Sequence, residues 1–300
     1  MNYEAFLTEW TLTDERFVVL TAENRAAIRG LPKRLGSRFI DTGITEQALV
    51  GVAAGLALRG RIPIAHGLAS FLTLRAYEFI RTDVGLANLP VKLVGGIPGF
   101  LSEANGPTHQ ALEDVGLMRT IPNLIVFCPG DEEDMRLGLQ VLLFHPSPCY
   151  VRFNPNRPVL DHTPFELGKA EVIAEGSEVT LFVYGMLLEQ ALQAKELLEA
   201  QGRSVGLVNV RTVKPLDEET FLRIARDTAM IVTLEDHFLT GGLFSALSEL
   251  LAKHGRSCRL LPLALEERWF QPCLLPDLLY QEGFAAEQIA QKILRALRSA

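Results

Sequence analysis

The stretch Asp41-Thr42-Gly43-Ile44-Thr45-Glu46-Gln47 runs into Ala48-Leu49-Val50-Gly51-Val52-Ala53-Ala54-Gly55-Leu56-Ala57-Leu58, and so sets one carboxylate at the mouth of an apolar helix. From Ala48 to Leu58 there is no polar side chain, so the helix has no face to offer to water and is expected to be buried on most sides. A first-turn Glu is ordinarily explained by the positive end of the helix dipole. Here Gly51 and Gly55 lie one turn apart on one face, among Ala48, Ala53, Ala54 and Ala57. That pattern suits a close junction with another element. A carboxyl group carried into such a junction is desolvated, which favours its neutral, hydrogen-bond-donating form. Glu46 is therefore a candidate buried acid.

Outward from this helix, short β-branched and aromatic runs alternate with longer helical patterns. Strands are predicted at Phe17 to Leu20, Arg38 to Ile40, Ile62 to Ile64, Val91 to Val94, Leu124 to Phe127 and Pro148 to Phe153. Helices are predicted near 22 to 30, 45 to 58, 70 to 84 and 131 to 144. Such alternation means a parallel sheet covered on both faces. Asn154-Pro155-Asn156-Arg157-Pro158 and then Pro164 cannot continue a helix or a central strand and read as a linker. A second cycle follows, with strands at Val179 to Tyr184, Ser204 to Val210, Met230 to Leu234 and Arg259 to Leu263, and helices near 187 to 201, 217 to 227, 242 to 254 and 285 to 298. The expected fold is α/β: two doubly wound, mainly parallel-sheet domains at 1 to 155 and 169 to 300, joined by a linker at 156 to 168.

Three hundred residues suffice for two such cores without metal or disulfide staples. A net charge of -7 and no Lys/Arg cluster argue against a nucleic-acid surface, which leaves small molecules and proteins as partners. Cys128, Cys149, Cys258 and Cys273 form no CxxC pair, and no signal segment opens the chain, so a cytoplasmic protein with free thiols is expected. No apolar run reaches the roughly 20 residues of a membrane span.

Ligands of doubly wound domains sit at the carboxyl ends of strands. After Val91-Lys92-Leu93-Val94 comes the long loop Gly95-Gly96-Ile97-Pro98-Gly99-Phe100-Leu101-Ser102-Glu103-Ala104-Asn105-Gly106-Pro107-Thr108-His109-Gln110. Pro98, and the lack of a helix directly behind the glycines, count against a dinucleotide fingerprint. A loop of this length is instead suited to delivering function, here His109 and Gln110 just ahead of Glu113 and Asp114. Asp131-Glu132-Glu133-Asp134 follows Pro129-Gly130 at a helix start, where carboxylates are expected without a metal, and no His/Cys/Asp spacing makes a metal site.

Glu46 in its GITEQ segment, Ala69-Ser70-Phe71 followed by Arg75-Ala76-Tyr77, and Gly106-Pro107-Thr108-His109-Gln110 with Glu113 and Asp114 together resemble the pyrimidine-binding half of transketolase. Deoxyxylulose-phosphate synthase carries similar motifs. Thr212-Val213-Lys214-Pro215-Leu216-Asp217 and Leu234-Glu235-Asp236-His237 with Gly241-Gly242 resemble that family's C-terminal domain. The resemblance implies thiamine diphosphate as cofactor and transfer of a two-carbon ketol unit from a ketose-like donor to an aldehyde acceptor. It implies that Glu46 binds a ring nitrogen of the aminopyrimidine and activates the cofactor, that Phe71 stacks on that ring with Leu68 as a second wall, and that His109 contacts substrate. Arg152 matches a strand-end arginine able to bind a substrate anion bidentately. Glu235-Asp236-His237 and Gly241-Gly242 suit a turn or a contact rather than chemistry.

Three positions depart from the family pattern. Asn105 replaces the Asp usual before the Gly of GPTHQ, removing an acceptor charge for substrate hydroxyls. Ile97 stands where sugar-phosphate transketolases keep a histidine for the phosphate end, and Leu68 replaces an aromatic wall of the pyrimidine pocket. The family's N-terminal domain, with Gly-Asp-Gly and a later Asn for Mg2+ (or Ca2+) and the diphosphate, is not in this sequence. The resemblance is thus to the C-terminal-half subunit of a split transketolase, with an N-terminal-half partner holding the metal, an α2β2 assembly, and the cofactor between chains. The glycine face then reads as a subunit junction. Two rival readings share the architecture: the β subunit of a 2-oxo acid dehydrogenase decarboxylase component, and a non-catalytic α/β regulatory subunit.

Overall fold

A computed structural model describes residues 1 to 298. Its strands are β1 (Phe17–Thr21), β2 (Phe39–Asp41), β3 (Ile62–Leu68), β4 (Lys92–Gly96), β5 (Ile125–Phe127), β6 (Cys149–Arg152), β7 (Glu171–Ala174), β8 (Val179–Val183), β9 (Val205–Asn209), β10 (Thr212–Lys214), β11 (Met230–Phe238) and β12 (Leu260–Leu265). They form two sheets, ordered β10-β5-β6-β4-β3-β1-β2 and β12-β11-β8-β9-β7. Every pairing is parallel except those of β10 and β7, which lie antiparallel at an edge of each sheet. The two mainly parallel sheets expected from the alternation are present, and β1, β8 and β9 are buried along their whole length, as strands covered on both faces must be. Between β6 and β7 there is no helix or strand.

Several elements depart from the expectation, among them the short helices Leu31–Leu35, Asp114–Arg119 and Leu275–Glu282, which the periodicity does not show. Residues 22 to 30 form turns, not a helix, and their polar groups bond outside the segment: the Asn24 carbonyl accepts from Thr21 Oγ1 at 3.0 Å, and the Arg25 guanidinium is paired with Asp41. A helix spans Tyr3–Thr13, started by Asn2, whose side chain accepts from Ala5 N at 2.9 Å. The short strands β7 and β10 were also not anticipated; β10 leaves the second half of the chain and pairs with β5 of the first sheet. The apolar helix, Glu46–Leu58, is buried on one side through Leu49, Val50, Ala53, Ala54 and Ala57. Its other side is bare: Ala48, Val52, Gly55 and Leu58 are exposed, and a Cβ built on Gly51 or Gly55 meets nothing within 4 Å. The expectation of burial on most sides is therefore corrected for the single chain.

Two buried ionic clusters join the halves. In the first, Arg152 from β6 donates through Nε to Asp114 at 2.8 Å and through Nη1 to Asp236 of β11 at 2.6 Å. In the second, the fully buried His162 side chain bridges Asp131, at 2.9 Å, and Glu171, at 2.8 Å, while Arg211 bridges Asp134 and Glu171, each at 2.8 Å. The acidic run at 131 to 134 is thus used as read: Asp131 caps the helix Glu132–Leu142 by accepting from Glu133 N and Asp134 N. Burial alone would push the His162 imidazole down, but its hydrogen bonds to Asp131 and Glu171 prevail and raise it to about 10. For Glu171, burial pushes upward, and the bonds from His162 and Thr163 N with the Arg211 charge bring it down to about 2.

A raised imidazole contributes stability in full below its ordinary value of 6.5 and loses it as pH climbs toward 10. His162→Leu, which removes the charged partner of buried Asp131 and leaves Glu171 to Arg211 alone, should cost about 3–5 kcal/mol at pH 6. Denaturant midpoints of both proteins measured across pH 6 to 10 should converge as pH rises; parallel curves would contradict a protonated His162.

Candidate functional site

Strand order in the first sheet runs outward in both directions from the β1–β3 boundary: β2 lies beyond β1 on one side, and β4 beyond β3 on the other. Connections leaving β1 and β3 therefore diverge to opposite sides, opening a crevice at their carboxyl ends. A cavity of about 370 Å³ lies there, lined by Ala22, Glu23 and Asn24 after β1, Ile44 and Glu46 after β2, and Leu68 and Phe71 at the end of β3. Glu46, Leu68 and Phe71, named from sequence, share this cavity.

Glu46 is buried to 2 % exposure, as its place at the start of the apolar helix requires. It is not alone there. Arg75 Nη1 donates to Glu46 Oε2 at 2.8 Å, and the same guanidinium lies 4.3 Å from the centre of the Phe71 ring. The expected isolated neutral acid is thus replaced by an ion pair. Phe71 and Arg75 bound a π-helical turn, a rare geometry that recurs at functional sites. One cation, outside the cavity lining, braces both the acid and the aromatic ring.

His109 stands at the edge of Phe71, with ring centres 5.0 Å apart. Its Nδ1 is 2.9 Å from Thr108 Oγ1, which leaves Nε2 for another partner. Asn105 sits exposed on the same loop and donates to the Ser102 carbonyl at 2.9 Å. Ile97 holds φ +47, a left-handed conformation uncommon for a β-branched residue. Arg152 does not join this group. Its guanidinium is buried between Asp114 and Asp236 and 5.2 Å from the Tyr184 ring, so its donors already have partners. The substrate-binding expectation for Arg152 is corrected to a joint between the two halves.

Glu23 and Asn24 were missed because residues 22 to 30 were read as a helix; the turn-forming Asn behind a strand was the available signal. Glu23 takes φ +58 at the cavity rim. Arg75 was seen only as part of a motif, since no spacing rule pairs it with a residue 29 positions earlier. His237 is structural, as its surroundings in the sequence suggested: Nε2 accepts from Gly116 N at 3.1 Å and Nδ1 donates to the Phe238 carbonyl at 2.6 Å. The four cysteines are free, and among the described residues no cluster of His, Cys, Asp and Glu could hold a metal ion and no helix is long and apolar enough to cross a membrane.

The family profile "Transketolase, pyrimidine binding domain" matches residues 3–157, and "Transketolase, C-terminal domain" matches residues 168–289. The 6-deoxy-6-sulfo-D-fructose transketolase subunit SqwH of Clostridium sp. (strain MSTE9) is 37% identical over 97% of this chain and 91% of its own. The 1-deoxy-D-xylulose-5-phosphate synthase of Syntrophotalea carbinolica is 34% identical, but the chain spans only 46% of its length. Among solved structures, a split gene transketolase described as an inactive beta4 tetramer matches with TM-score 0.89 and 32% identity, over 99% of this chain and 97% of that one. The chain belongs to the transketolase family. It is a transketolase-type transferase subunit of the split form, and this family uses thiamine diphosphate.

Removing Arg75 leaves Glu46 buried without its ion-pair partner. Arg75→Ala should lower the stability of the isolated chain by about 1–3 kcal/mol in denaturant titration, and Glu46→Ala in the same background should restore part of it. Arg152→Ala should cost about 3–5 kcal/mol by the same measurement, because it strands Asp114 and Asp236. A stability like that of the unsubstituted chain would return Arg152 to the list of substrate ligands.

Proposed function

We propose that this chain supplies the pyrimidine end of a thiamine diphosphate site shared with a separate N-terminal-half subunit, and that the assembled enzyme moves a two-carbon ketol unit from a ketose donor to an aldose acceptor. One observation carries the reading: a single helix bears both the acid of the cavity, Glu46, and an unpaired apolar stripe of Ala48, Val52, Gly55 and Leu58. The acid faces the ligand crevice while the stripe offers itself to a second chain, continued at the cavity mouth by Ile44, which is 66 % exposed.

The cavity residues fit the pyrimidine end of the cofactor: a flat aromatic face from Phe71, an aliphatic wall from Leu68, and a carboxylate for the hydrogen-bonding edge of the ring. When bound, thiamine diphosphate supplies the electron sink for carbon-carbon cleavage. Glu46 holds the ring nitrogen and its proton, with Arg75 fixing the carboxylate's position. His109, through Nε2, hydrogen-bonds substrate hydroxyls and moves a proton there. The diphosphate and its Mg2+ (or Ca2+) belong to the partner, and two copies of each chain make the α2β2 enzyme.

Two cations beside the cavity are already paired within this chain, Arg25 with Asp41 and Arg75 with Glu46. That supports a donor whose anionic end, where it has one, is held from the partner's side. The relative from Clostridium is named for a sulfonated ketose, which makes sulfonated, phosphorylated and free ketoses the donors to compare.

The test is co-expression with a candidate N-terminal-half chain, followed by thiamine diphosphate titration and ketol-transfer assays. Glu46→Ala should lower turnover by about 10²-fold or more. Turnover that survives Glu46→Ala contradicts the mechanism, and reductive acyl transfer to a lipoyl carrier in place of an aldose would establish the 2-oxo acid dehydrogenase reading instead. An assembled pair that binds no cofactor would establish the regulatory one.

A further inference from the structure

The loop that carries His109 has a 3-10 stretch at Gly99–Asn105 and is otherwise held from outside. Gly99 N donates to the Ala111 carbonyl at 3.0 Å, closing residues 99 to 111 into an Ω-loop with adjacent ends. From Ala104 to Thr108 only Gly106 is less than exposed, and the bonds within the tip are local ones, such as Asn105 to Ser102. The second half of the chain supplies the rest. Phe100 N donates to Asp236 Oδ2 at 3.2 Å, and the Phe100 ring packs edge-on against Phe270 and Phe284, with centres 5.7 and 4.9 Å apart. Gln110, only 2 % exposed, donates through Nε2 to the Phe270 carbonyl at 2.9 Å. Glu103 reaches the start of the helix Leu275–Glu282, where Oε2 accepts from Leu275 N at 2.7 Å, a carboxylate placed at the positive end of a helix dipole.

We propose that the C-terminal domain is a positioning element for the substrate histidine, and that Glu103 is the positioning residue which fixes the loop tip. The geometry of attachment carries this. Phe100 and Gln110 hold the two ends of the loop, and Glu103 holds its middle. All three bonds go to the same body, made by residue 236 and the segment 270 to 275. His109 lies next to Gln110 and six residues beyond Glu103. With both flanks tied, its ring is kept at the edge of Phe71 without a strand or helix of its own. The close approach is possible because Gly99, at φ +53, has no side chain: a Cβ there would collide with the Asp236 carboxylate and with Arg152 Nη2 at 2.7 Å. The joint that clamps Arg152 between Asp114 and Asp236 is thereby also the seat of the loop. The domain that lines none of the cavity thus sets where the substrate contact stands. This inference rests on the reading of His109 as a substrate contact, and deepens it.

The experiment uses the chain co-assembled with its N-terminal-half partner, with Glu103→Ala, Glu103→Gln and His109→Ala. Hydrogen exchange of the segment 97 to 112 should rise about tenfold in Glu103→Ala and return toward the unsubstituted rate in Glu103→Gln, whose side-chain oxygen still accepts from Leu275 N. Exchange in the helix Glu46–Leu58 should not change. Glu103→Ala should raise the KM for substrate at least fivefold while the Kd for thiamine diphosphate stays within twofold, a split that general destabilisation does not produce. Unchanged loop exchange, or equal losses in KM and cofactor Kd, overturns the proposal. If Glu103→Ala loosens the loop but His109→Ala leaves KM and turnover intact, the role given to His109 fails while the clamp stands.

Discussion

The reversal of strand order between β1 and β3 is the constraint on which the molecule's chemistry depends. A parallel sheet wound in one direction would close its carboxyl ends under successive connections. Here the winding starts at β1, goes out to β2, and returns across the sheet to β3, so the connections after β1 and β3 part and leave an opening. All seven residues lining the cavity come from the loops, strand ends or first helical residues that follow β1, β2 and β3. The Glu46 helix belongs to the connection that returns from β2 to β3, which is why its first turn meets the crevice while its body lies along the sheet.

A carboxylate at such a position is costly to bury unless something answers it. Arg75 does so from a π-helical turn that also carries Phe71, so acid, cation and aromatic ring are tied into one unit. The consequence is that acid, cation and ring hold one another's positions within this chain. The cavity wall is preorganised, and the stripe on the same helix stays bare in the single chain. Preorganisation of this kind lowers the ordering cost of association.

Much of the fold was legible because alternation of short apolar runs with helical periods is a local signal. Every strand of the parallel cores was located within a few residues, and the apolar run after Glu46 gave the helix directly. What was not legible depends on contacts distant in sequence. Strand order decides where the crevice lies, and nothing local encodes it, so Glu23 and Asn24 were lost inside a misread helix. Edge strands such as β10 are too short to show a period. Arg152 could be matched to a motif, but whether its fork faces a ligand or two carboxylates is settled by Asp114 and Asp236, which lie 38 and 84 positions away. Burial of Glu46 was readable from the greasy helix behind it; its pairing with Arg75 was not.

The two ionic joints explain why a strand of the second half completes the first sheet. Arg152 and the His162–Arg211 cluster are desolvated, and a desolvated ion pair tolerates little displacement, because moving one partner leaves a charge unanswered in a medium of low dielectric. Both joints lie where β6 and the linker that follows it meet β7, β9 and β11, and β10 is delivered to the edge of the first sheet directly after Arg211. The domains are therefore fixed in register rather than tethered. Only a fixed C-terminal domain can seat a loop of the other domain at a defined place, so the rigidity of the joint and the position of His109 are one property.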